Sequence, residues 1–137
     1  MESWRKVWRD GFAPQLDDDE LRALLCALDG DLPQLVQGRT AIPLPGQPYW
    51  PQTQECAGAC PVGYPGWKVL GLLTTADVEE KFAQRCHEAD TLLGEPVACR
   101  YFLNWWDETD REEARRLLAG EVRRELDIRA ETVTAGR

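Results

Sequence analysis

No stretch of this chain approaches the roughly 18 consecutive apolar residues of a membrane span, and it holds no glycine-rich phosphate loop, no HExxH pair and no G-x-S-x-G elbow. The first absence argues against a membrane partner. The others leave the common nucleotide-binding, zinc-protease and serine-hydrolase classes without a foothold. Basic charge is also short: 16 Lys and Arg face 24 Asp and Glu, a formal net charge of −8. Nucleic-acid affinity rests on clustered Lys and Arg, so DNA and RNA are not expected partners. A DNA-mimicking role would need acids to dominate one face, and here arginines are interspersed among them. The opening residues, Met1 to Lys6, carry no apolar run of signal-peptide length, so a cytoplasmic location is expected. Five cysteines make an odd number, and reduced thiols fit that location better than a disulfide framework.

What remains is a composition that folds. Apolar residues make up 43% of the 137 and charged residues 29%, ordinary for one globular domain, and the whole chain, 1–137, is read as one. The densest stretch, Arg100 to Asp107, holds Tyr101, Phe102, Trp105 and Trp106, four of the twelve aromatics. Each large aromatic buried removes roughly 150–250 Å² from water, so the rest of the fold is expected to pack around this stretch. Its spacing predicts a buried helix over 97–106 with Pro96 in the first turn; a central strand is the alternative.

Apolar spacing of three and four predicts helices over 17–29, 75–93 and 110–127, with Leu25, Phe82, Trp105 and Leu118 buried. Their starts carry capping signals: Asp17 with Glu20, Thr74 with Asp77, and Thr109 with Glu112. Gly30 and Gly94 stand where C-terminal stops belong. A short helix carrying Trp4, Val7 and Trp8 is expected to end at Pro14, and another, from Asp31, to end at Gly38. Residues 39–67 hold six of the nine prolines, a strap from which regular helix is excluded. Residues 66–74 have the composition of a short strand or hairpin, and 130–137 form a polar tail expected to fray. The fold class is mainly α, with α+β as the alternative: a single compact domain of four to five helices, a Pro/Gly-rich strap and one short hairpin.

Function is less legible. Ordering a long irregular strap costs about 1–2 kcal/mol per residue in backbone entropy. Its aromatics are therefore either folded inward or kept as anchors for a partner. Tyr49, Trp50, Tyr64 and Trp67 are the partner-binding candidates, since Tyr and Trp dominate interface hot spots. The expectation is a non-catalytic protein–protein interaction or regulatory module needing no cofactor. One alternative is a small enzyme with an unrecognised site, for which Cys86 with His87, or the carboxylates of Asp107 and Glu108, are the only groupings; adjacent helical residues diverge by about 100°, which works against the first. A second alternative is a structural zinc module in which Cys56 and Cys60 join Cys86 and Cys99, or His87 in place of one of them.

Overall fold

The computed structural model describes residues 3–46, 50 and 53–135, with the backbone alone at 134 and 135. Among the described residues the chain is mainly α, with six α-helices and one two-stranded sheet.

The Ser3 hydroxyl accepts the Lys6 N–H at 3.3 Å and starts α1 (Trp4–Val7). This helix widens into a π-helical turn, Trp8–Phe12, then tightens into a 3-10 turn, Ala13–Gln15. Pro14 does not end the run: it lies in the first positions of the 3-10 turn, where a missing N–H has no partner to lose. Val7, Trp8, Phe12 and Ala13 are all at most 2% exposed. Gly11 lets this run approach α4 (Thr75–Leu93), because a Cβ there would stand 3.1 Å from both Ala89 Cβ and Leu93 Cδ1.

α2 (Asp18–Asp29) starts in the expected reciprocal cap, with Glu20 N–H donating to Asp17 at 2.8 Å and Asp17 N–H to Glu20 at 3.4 Å. Leu21, Leu24, Ala27 and Leu28 are fully buried and Leu25 only half so, which places the stripe slightly round the helix from the predicted one. The short helix expected from Asp31 does not form. Asp31 takes a positive φ of 48° and Pro33 follows, so the chain leaves the helical path and runs extended beside the sheet. Val36 N–H donates to the Ala59 carbonyl and Ala59 N–H to the Gln34 carbonyl, both at 2.9 Å.

β1 (Ala41–Pro43) pairs antiparallel with β2 (Cys56–Ala59), Ala41 opposite Ala59. The hairpin thus spans the strap, and residues 66–74 do not form one. α3 (Tyr64–Val69) is a helix inside a segment from which proline content had excluded helix. Pro65 sits in its first turn, the one place where proline removes no intrahelical bond. After α3 the chain returns to the sheet, with Cys56 N–H donating to the Leu73 carbonyl at 2.8 Å.

α4 is capped by Thr74, whose hydroxyl accepts the Asp77 N–H at 3.2 Å, and stops at Gly94 in the left-handed conformation, φ 66°. The aromatic stretch is helical, as α5 (Cys99–Glu108); Pro96 falls in the turn before it. Only one face of this helix is enclosed, and Trp105 is less buried than expected: Phe102 and Trp106 are fully enclosed, Trp105 is half-buried and Tyr101 is exposed. Phe102 lies 5.6 Å from Trp8 and 5.3 Å from Phe12, and Trp4 stacks on Trp105 at 3.6 Å with planes 5° apart. The N-terminal run therefore rests on this stretch. Trp106 Nε1–H donates to the Val36 carbonyl at 2.8 Å.

α6 (Arg111–Ala135) carries Ala114, Leu118, Ala119 and Val122 on its buried face, against α2. Its cap is Asp110, which accepts from Glu113 N–H at 3.4 Å; Thr109, extended at ψ 144°, closes α5 instead. Helix continues to Ala135, past Ala130, where fraying was expected to begin. Its arginines reach backward. Arg115 donates to the Leu28 carbonyl, Arg111 to the Leu32 carbonyl at 3.1 Å, and Arg129 to those of Leu16 and Ala13 at 2.8 and 3.0 Å.

Candidate functional site

The four aromatic candidates separate. Tyr64 is 4% exposed and meets Trp67 edge-on at 5.8 Å; Trp67 is half-buried with Lys68 Nζ 3.8 Å above its ring. Both are packing residues of α3. Tyr49 lies outside the described residues. Trp50 is 66% exposed, and its carbonyl accepts the N–H of Thr53 at 2.9 Å and of Gln54 at 3.1 Å. From there the backbone links two more exposed apolar residues, for Leu44 N–H donates to the Glu55 carbonyl at 2.8 Å and Leu73 is bonded to Cys56. Leu44 and Leu73 are 42% and 70% exposed. Three large apolar side chains thus stand in solvent along one end of the sheet.

A second constellation is a cleft of about 500 Å³ between α4, α5 and residues 38–40, a volume within the range of small-molecule sites. Phe82 and Leu103 line it with Cys60, Cys86 and Cys99, and Arg39, Arg100 and Asp107 stand at its charged margin. Asn104, exposed on α5, also lines it. Asp107 accepts the Gly38 N–H at 2.8 Å and ties the 38–40 wall to α5. Gln37 strengthens the same joint by donating to the Trp106 and Thr109 carbonyls at 2.6 and 2.8 Å. Asp107 is thus occupied in holding the wall, and it does not converge with Glu108 as an acid/base pair.

The cysteines divide by environment. Cys56 donates to the Gly58 carbonyl at 3.2 Å and burial raises its pKa. Burial pushes the Cys60 thiol up to about 11, so it stays protonated. Cys86 and Cys99 both line the cleft at the α4–α5 joint, and each thiol shifts the other, Cys99 downward and Cys86 upward. His87 is exposed and does not line the cleft, so Cys86 has no imidazole base there. The cage of Cys56, Cys60, Cys86 and Cys99 is not assembled. Cys56 is turned into the strand pair, and among the described residues no three His, Cys, Asp or Glu stand close enough to hold a metal ion.

No family model, curated protein or solved structure matches this chain. Among the described residues no helix is long and apolar enough to cross a membrane.

Proposed function

We propose that the chain is a protein-interaction module acting as one domain, and that it docks its partner along the sheet end carrying Trp50, Leu44 and Leu73. The observation that carries this reading is the exposure of Trp50: an indole two-thirds in solvent gains nothing for the fold and is the usual anchor of an interface core. The net charge of −8 favours a protein partner whose apolar face is rimmed by basic residues, and it disfavours nucleic acid. Five unpaired cysteines support a reducing, cytoplasmic setting.

The test replaces Trp50 by a photoactivatable residue, and in parallel by alanine. One discrete cross-linked partner is expected, lost in Leu73→Ser, with Trp50→Ala melting within about 2 °C of the parent, as an exposed side chain should. A drop of many degrees in Trp50→Ala with cross-linking unchanged by Leu73→Ser would make these residues part of the fold and end the proposal.

A further inference from the structure

The cleft and its thiols have no part in that docking edge. Cys86 is half-buried on α4 and Cys99 opens α5; Cys60, the third thiol of the cleft, is fully enclosed. The two helices are held in register by Asp90, one turn after Cys86, whose carboxylate accepts the N–H of Cys99 at 2.8 Å and of Val97 at 3.2 Å. Residues of the same α4 face therefore meet the first turn of α5, and Cys86 and Cys99 both line the cleft.

We propose that Cys86 and Cys99 form an oxidisable dithiol that reduces a hydroperoxide entering the cleft. The Cys99 thiolate attacks the terminal peroxide oxygen. The O–O bond breaks, the alkoxide or hydroxide leaving group takes a proton from solvent, and Cys99 becomes a sulfenic acid. Cys86, having released its proton to solvent, attacks that sulfur and expels hydroxide, which is protonated to water. Two thiols and one hydroperoxide give one disulfide, one alcohol (or water) and one water, with two electrons passing from sulfur to oxygen.

The roles follow from the surroundings. The two neighbouring thiols shift each other, Cys99 downward and Cys86 upward; Arg100 also favours the Cys99 thiolate, while burial and Asp90 oppose it. Cys99 further stands at the start of α5, where the helix dipole stabilises an anion. Closing the disulfide requires the sulfurs to draw in to about 2.05 Å.

The test treats the reduced full chain with hydrogen peroxide near equimolar, alkylates at intervals and maps the peptides by mass spectrometry. The 86–99 disulfide should be the first product, formed at least tenfold faster than oxidation of the exposed, solitary Cys26. Cys86→Ser should stop at a sulfenic acid on Cys99 that a dione reagent traps, and Cys99→Ser should lose the fast phase. Oxidation appearing first at Cys26, pairing of either thiol with Cys60, or a Cys99 sulfenic acid that persists in the parent protein would each overturn the proposal. The parent map decides the matter even if a serine variant fails to fold.

Discussion

Arg85 of α4 and Glu20 of α2 stand 2.6 Å apart as an ion pair whose side chains are only 6% and 4% exposed. Glu20 is also the reciprocal cap of its own helix, so one carboxylate both starts α2 and binds it to α4. The contact is electrostatic more than directional, because Arg85 Nη1 and Glu20 Oε2 have no aligned hydrogen-bond partner among the described residues.

Removing one member should therefore cost far more than removing both. Arg85→Met is expected to destabilise by about 3–5 kcal/mol, and Glu20→Gln combined with Arg85→Met to recover most of that loss. Urea denaturation of the two variants checks it. Equal losses in the single and double variants would mean that the buried carboxylate is tolerated alone.

Trp106 joins the core to the extended bridge after α2. Trp106→Phe keeps most of the volume but leaves the Val36 carbonyl without its 2.8 Å donor, for an expected loss of about 1–2 kcal/mol. Trp106→Ala should lose about 3–5 kcal/mol. If the two variants lose the same, measured by thermal melting, the hydrogen bond carries the whole effect.

Local rules were enough for part of this architecture. The Asp17–Glu20 cap, the Thr74 cap and the Gly94 stop each depend on residues three or four apart, and each stands where spacing put it. The misreadings come where a neighbour in space decides: residues 34–36 lie extended because Ala59 offers backbone partners, and Pro65 starts a helix because its own turn has no donor to lose. The cleft had no local signature. It unites Arg39, Cys60, Cys86 and Cys99 from four segments, while the one close cysteine spacing, Cys56 to Cys60, divides between the strand pair and the cleft wall.

Acid should loosen the joint between the N-terminal run and α6. Burial alone would raise the Glu121 pKa, but hydrogen bonds from Arg9 at 2.6 and 3.0 Å, with the charges of Arg9, Arg5 and Arg124, hold it below the usual 4.5. Because the folded value is the lower one, this stabilisation is complete above about pH 4.5 and is lost as pH falls through the folded value. Glu121→Gln should be less stable than the parent at pH 6, with the gap narrowing below pH 4.5. A gap independent of pH would assign the loss to packing.

Val97 takes a φ of 54°, a left-handed conformation that a β-branched side chain resists, and its side chain is 58% exposed. Val97→Gly should therefore raise stability, by up to about 1 kcal/mol after the extra freedom of glycine in the unfolded chain is counted. A loss in urea titration would show that the side chain, and not the backbone, dominates at this turn.

The grip of Arg129 on the Leu16 and Ala13 carbonyls and of Glu121 on Arg9 spans more than a hundred residues of chain in each case. During synthesis Arg9, Ala13 and Leu16 would have to wait for partners made more than a hundred residues later. Trp4, Trp8 and Phe12 are made well before α5, on which they rest, and α6, which clasps their run. At about 5–20 residues per second, that apolar run stays uncovered for seconds before the helices that enclose it are made.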